Sequence, residues 1–204
     1  SWVVRKTHPE AGLEYAKRVL GLYEKYSKRN VFNIVYNTLM VCECENFCGN
    51  PRRAFSLAQQ AEKNALALGD STVISDVYQD MAYFAVSLGD KRSTHFALLS
   101  CRYSDTRFVS KRLMLAKAYE KTGNYHECIN LLDTLRLENN GQRYEAFAMR
   151  HRAAVKLNDP AALSYADSAY HYIEAMFDDE LCDKTIYFEN LMQEKTERLQ
   201  AEAW

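Results

Sequence analysis

Glycine and proline are scarce in this chain, 7 and 3 among 204 residues. That scarcity argues against a collagen-like repeat, a disordered linker or a loop-rich enzyme. Charge of one sign is missing too: 26 Lys and Arg stand against 27 Asp and Glu, a formal net charge of −1. The chain therefore lacks the electrostatic footprint of a nucleic-acid binder. No run of 18 apolar residues occurs, so no segment is expected to insert into a membrane, and the first residues do not have the build of a signal peptide.

Chemistry-bearing patterns are absent as well. There is no G-x-G-x-x-G, no G-x4-G-K-[ST], no H-E-x-x-H and no nucleophile elbow. The histidines, His8, His95, His126, His151 and His171, are scattered along the chain. Arg143, Arg150, His151 and Arg152 form a basic cluster without the interleaved aromatics of a single-strand binder, and they read as a solvated helix face. Asp178, Asp179 and Glu180 complement the dipole at a helix start. No catalytic, cofactor-binding or metal-binding constellation is expected, and the chain is read as a non-enzyme.

What is present is apolar and helical. Hydrophobic residues make up 48% of the chain, enough for a continuous core at this length. Three cysteines, Cys42, Cys44 and Cys48, lie within one helical stretch whose geometry disfavours a disulfide. With Cys101, Cys128 and Cys182 they are expected as free, mostly buried thiols. The periodicity predicts about ten helices, over 8–27, 30–47, 51–68, 71–88, 91–102, 106–121, 125–137, 142–157, 160–177 and 179–202. Pro9, Pro51 and Pro160 suit first helical turns, and Thr7 to Glu10 has capping-box spacing. Asn30, Ser71 and Thr106 are expected N-caps. Gly49, Gly69, Gly89, Gly123 and Gly141 are expected just past helix ends. Gly12 and Gly21 fall inside the first helix, where they mark close approach or a break.

The helices repeat. Shifting Tyr78–Asp90 by 34 residues onto Arg112–Asn124 superposes Met81 on Leu115, Ala82 on Ala116, Gly89 on Gly123, Thr94 on Cys128 and Leu98 on Leu132. A large-small pair on one helix, a glycine, then a small and a large residue on the next is what two closely packed antiparallel helices require. Residues 115–135 resemble the tetratricopeptide repeat (TPR), with Leu115, Ala116, Tyr119, Gly123, Tyr125, Cys128, Leu132 and Leu135 at its signature places. Residues 78–101 resemble it nearly as well, and 30–69 and 142–177 form weaker units. The Leu-Gly-Asp turns at 68–70 and 88–90 are similar to those of the longer-helix TPR arrays of bacterial signalling regulators.

The resemblance implies an all-α, right-handed superhelical solenoid of antiparallel helix pairs running through the whole chain. Residues 1–29 would supply a flanking helix, 30–69, 70–104, 105–141 and 142–178 four helix pairs, and 179–204 a capping or connecting helix. Leu181, Phe188, Met192 and Leu199 would form the apolar stripe of that last helix.

It further implies a protein or peptide partner in a concave groove lined by the first helix of each pair. The repeat register places Tyr36, Leu39, Glu43 and Asn46 there from the first unit, and Asp76, Gln79, Tyr83 and Val86 from the second. Ser110, Leu113, Lys117 and Glu120 follow from the third, with Tyr144, Phe147 and His151 from the fourth. That groove would be mixed, with no strong net sign, and its aromatics could equally serve only as packing. The Lys, Asn and Arg clamp of TPR co-chaperones has no counterpart, since its positions hold Leu39, Glu43, Asp80 and Ser110. The expected role is the sensory or partner-binding region of a larger bacterial signalling protein, because the chain lacks an initiating Met and its repeats begin and end out of phase. The alternative is a stand-alone adaptor that forms homodimers through its end helices, with Trp2 and Trp204 as contacts. Free thiols slightly favour the cytoplasm, and the extracytoplasmic part of a membrane-anchored receptor is the alternative.

Overall fold

The computed structural model describes residues 8–105 and 108–177, and every regular element among them is helical. The helices are α1 (Pro9–Tyr26), α2 (Val31–Phe47), α3 (Pro51–Leu68), α4 (Ser71–Ser87), α5 (Ser93–Tyr103), α6 (Val109–Thr122), α7 (Tyr125–Asp133) and α8 (Asn140–Leu157). A ninth, α9, spans 162–177. Among the described residues no helix is long and apolar enough to cross a membrane. The expected helix at 179–202, its apolar stripe, Cys182, Thr7, Thr106, Trp2, Trp204 and the 178–180 acids lie outside the described residues. The chain divides into two compact units, one through Arg136 and the other from Leu137.

Most helix ends follow the sequence signals. Pro9 and Pro51 sit in first turns, and the Asn30 side chain accepts the Asn33 N–H at 3.1 Å. Ser71 is not a cap. Asp70 takes that role, accepting from Thr72 and Val73 N–H at 2.8 and 3.1 Å, because its carboxylate reaches two of the first turn's orphan donors. Gly141 likewise does not end a helix: it lies within the first turn of α8. The α1 helix is continuous through both its glycines, and Gly12 is buried.

In the first unit, α2–α3, α4–α5 and α6–α7 are sequential pairs in contact, and α1 packs on α2. The first helices of successive pairs also touch, α2 against α4 and α4 against α6. Small residues make this approach possible. Ala54, Ala58, Ala61 and Ala65 form one buried face of α3, while Ala82, Ala97, Ala116 and Ala118 admit neighbouring helices further along. Large residues fill the gaps between them, chiefly Val35, Met81, Phe84, Met114 and Leu115. Where α4 meets α5, Ser75 and Ser100 exchange bonds: each hydroxyl donates to the other's carbonyl oxygen at 2.8 Å. This satisfies two buried hydroxyls in a contact too close for larger side chains.

All five described cysteines are free thiols, with Cys42, Cys44 and Cys128 buried and Cys48 and Cys101 partly so. In the second unit, Phe147 stacks on Tyr172 with ring centroids 5.6 Å apart, and Arg150 lies 4.9 Å from the Phe147 ring centre. Arg143 covers Tyr172 at 5.7 Å, and His151 Nδ1 is 2.9 Å from the Ala162 carbonyl oxygen. The basic cluster is therefore mainly packed on rings and backbone, with Arg152 exposed, rather than forming a solvated face.

Candidate functional site

The α2 and α4 helices run side by side and enclose a cavity of about 320 Å³. Its lining comes from Tyr36, Leu39, Met40 and Glu43 on α2 and Asp76, Gln79 and Asp80 on α4. Helical spacing explains the set. Tyr36, Leu39, Met40 and Glu43 recur at three- and four-residue steps, as do Asp76, Gln79 and Asp80, so each group occupies one face of its helix. Five of the seven are positions that the repeat register assigns to the groove.

Equivalent positions of successive first helices meet directly. Tyr36 and Asp76 are 40 residues apart, the spacing of Gly49 and Gly89, and the Tyr36 hydroxyl donates to Asp76 Oδ2 at 2.7 Å. Tyr83 and Lys117 are 34 apart, and the Lys117 ammonium lies 5.5 Å from the Tyr83 ring centre. Burial, then the bond and charge of Asp76, push the Tyr36 hydroxyl far above its ordinary pKa, so it stays a donor at every physiological pH. Asp76 also receives the ammonium of Lys111 from α6. One carboxylate thus ties together three successive first helices, and Lys111, almost fully buried, is held in place by it.

None of the cavity's lining residues is basic, and three carry carboxylates, with Asp76 bound by Lys111. Burial raises the pKa of the nearby Cys42 thiol, and the carboxylate of Asp80, then those of Glu43 and Glu45, add to the rise. A second cavity of about 470 Å³ shares Asp76 and Gln79 and is bounded by Ser71, Ser75, Tyr103, Phe108, Ser110 and Lys111.

The remaining groove candidates separate. Tyr83 and Val86 are half-buried beside the core, and Asn46 is half-buried near the end of α2. Leu113 and Glu120, expected to face the groove, are buried at 4% and 7% exposure. The reason lies in their helix: α6 buries Lys111, Leu113, Met114, Leu115, Ala116, Ala118 and Glu120, residues that point around most of its circumference. A register projection assumes one broad open face, and a helix enclosed on most sides keeps only a narrow one. Tyr144, Phe147 and His151 belong to the second unit, where Phe147 and His151 make the internal contacts described above. The register omits Met40, Asp80 and Lys111. Asp80 was legible as the residue four after Asp76, on the same helical face.

Among the described residues no cluster of His, Cys, Asp and Glu is arranged to hold a metal. No protein-family model matches the chain, and no curated protein matches it by sequence. A solved structure does: a putative kinesin light chain with nearly identical TPR-like repeats from Podospora anserina. The two share 14% identity and a TM-score of 0.65, over 83% of this chain and 89% of the other. This chain has a TPR-like repeat fold. At that identity the likeness concerns architecture alone, which agrees with the 34-residue repeat and the contacts between successive first helices.

Proposed function

We propose that the chain is a non-catalytic scaffold holding a protein or peptide segment against the first helices of its stacked pairs. The observation that carries this is the cavity between α2 and α4, where Tyr36, Leu39, Glu43, Asp76 and Gln79 converge from two repeats. Its lining combines apolar stems with an amide, a phenol and carboxylates, the mixture that orients a docked side chain. In its finer form the scaffold is the sensory or partner-binding region of a larger bacterial signalling protein. The similarity of the Leu-Gly-Asp turns supports that form, and a reading frame continuing past Trp204 into a kinase, membrane segment or DNA-binding domain is the expected finding.

The test is a pull-down with the full chain and two variants. Gln79→Trp fills the cavity and Tyr83→Ala removes the neighbouring ring. A true groove partner is recovered about tenfold less by either variant, and unchanged recovery with both sinks the proposal.

A second reading, self-association through an end helix, is favoured by α1. Tyr15, Leu22 and Tyr26 are exposed along it at 67%, 51% and 72%. Light scattering of the purified chain should then show a dimer that Leu22→Glu converts to monomer.

A further inference from the structure

Resting on the groove reading above, we infer that the second cavity, where α4 meets the end of α5 and the start of α6, holds a carboxamide, the side chain of an asparagine or glutamine on the docked segment. Its carbonyl oxygen would accept from Lys111, and its N–H groups would donate to Asp76 and Gln79.

A buried ion pair in the cavity wall carries the inference. Lys111 belongs to the lining and is 6% exposed. An ammonium carries several N–H donors and no acceptor, and among the described residues Asp76 is the one acceptor that Lys111 has. Asp76 receives the Tyr36 hydroxyl and the Lys111 ammonium, and a carboxylate with two such bonds keeps further acceptor capacity. Gln79 adds a donor and an acceptor. It is half-buried, and its amide bonds to no other group among the described residues.

Charge decides which ligand can use these groups. Lys111 and Asp76 neutralise each other, and the remaining acid of the lining, Asp105, has an interaction of its own. The cavity therefore offers polarity without a charge to spare. An incoming acid would meet Asp76, and an incoming base would meet Lys111. A carboxamide is uncharged, and its dipole fits the pair, oxygen towards the ammonium and nitrogen towards the carboxylate. A hydroxyl is uncharged too, but its single O–H cannot donate to Asp76 and Gln79 at once. An apolar side chain would shut water out without replacing its hydrogen bonds. The rings of Tyr103 and Phe108, both exposed, share the lining and offer apolar surface to the flat amide and its stem. The volume of about 470 Å³ falls within the roughly 300–1,000 Å³ typical of ligand pockets, room for the side chain and the backbone that carries it.

The experiment is a display selection of random dodecapeptides on the immobilised full chain, with binding of the selected peptides then measured on Lys111→Met and Ser110→Trp. The first variant removes the donors and keeps the stem, and the second fills the cavity from an exposed position. Thermal melting verifies that both are folded; if Lys111→Met melts early, Gln79→Met replaces it. Peptides selected by the wild type should be enriched in Asn or Gln at one position. A synthetic copy of the best peptide should bind either variant at least about tenfold more weakly. Replacing its carboxamide residue by the matching acid, or by leucine, should give a similar loss. Selected peptides without carboxamide enrichment, equal binding of the acid form, or unchanged affinity for either variant overturn the inference and leave the scaffold reading standing. Failure of the wild type to select any peptide removes the groove reading itself, and this inference with it.

Discussion

The α4 and α6 helices occupy the same place in successive repeats, 34 residues apart, yet they present different faces. On α4 the positions of Asp76, Gln79 and Tyr83 are half-buried, and the first two line cavities. Their equivalents on α6 are Ser110, Leu113 and Lys117, and the middle one is buried at 4% exposure. A shared register fixes how two helices lie against their neighbours. It does not fix which of their outer faces stays open, because that depends on what else packs there. The sharpest way to break the comparison is to truncate the middle position on both helices. Leu113→Ala should cost about 2–5 kcal/mol, the range for a buried leucine, whereas Gln79→Ala should stay within about 0.5 kcal/mol. Urea unfolding of the two variants measures both, and similar losses would mean that α6 is as open as α4.

A next-largest effect is expected where the two helices are tied. Lys111 on α6 is buried and rests on Asp76 of α4, whose side chain keeps 32% of its exposure. Asp76→Ala would leave a buried ammonium without its acid. The expected loss is about 2–3 kcal/mol, below the roughly 3–5 kcal/mol of a fully buried pair because water reaches Asp76. Lys111→Met, which removes the charge and keeps the stem, should stay within about 1 kcal/mol. The double variant should recover most of the Asp76→Ala loss. If Lys111→Met is the more harmful of the two, the ion pair stabilises rather than merely registers these helices.

The same contrast shows what could be read in the sequence. Large-small pairs such as Met81–Ala82 and Leu115–Ala116 encode helix packing, which is local and periodic, so the repeat and most helix boundaries were legible there. Much of the lining of the cavity between α2 and α4 was legible for the same reason, since Tyr36, Leu39 and Glu43 share one helical face. The Asp76–Lys111 pair was not. It joins residues 35 apart, one off the repeat spacing, and a periodic register cannot place a contact that departs from its own period. Asp70 displaced Ser71 as a cap on equally local grounds: both residue types suit the position, and only the backbone decides between them.

Carboxylates on the two sides of α2 sharpen the comparison through pH. Glu43 faces the cavity, whereas Glu45 is buried at 1% exposure and held by Lys17 of α1 at 2.8 Å and Arg53 of α3 at 3.2 Å. Asn50 donates to its other oxygen at 3.2 Å. Burial raises the Glu45 pKa, but Lys17, Arg53 and Asn50 together outweigh it and hold the carboxyl below its ordinary 4.5. A carboxyl lowered in the folded state stabilises above its unfolded pKa, and that stability is lost as pH falls through the folded value. Stability should therefore decline on acidification from about pH 4.5 downward. Glu45→Gln should cost about 1–2 kcal/mol at neutral pH and flatten that decline. Asp90, lowered by its bonds to Arg92, adds a background slope common to both proteins, so the difference between their urea midpoints isolates Glu45. Parallel midpoints across this range would show that the ties to α1 and α3 carry no net stability.

The smallest effects are expected at the helix ends, where α6 stops on Gly123 and α8 on Asn158. Both residues are left-handed, at φ 85° and 54°. An L side chain strains that conformation by roughly 1–2 kcal/mol, and asparagine tolerates it better than most residues do. Gly123→Ala should therefore destabilise by about 1 kcal/mol or somewhat more through backbone strain alone, since no atom lies within 4 Å of the added methyl. Asn158→Gly relieves strain but loosens the unfolded chain, so a gain of only about 0.5 kcal/mol is expected. Thermal melting of the two variants gives opposite shifts if both ends are governed by this one backbone requirement. Shifts of the same sign would mean that the Asn158 side chain contributes a contact of its own, and that the second unit's helix end differs in kind from the glycine turns of the first.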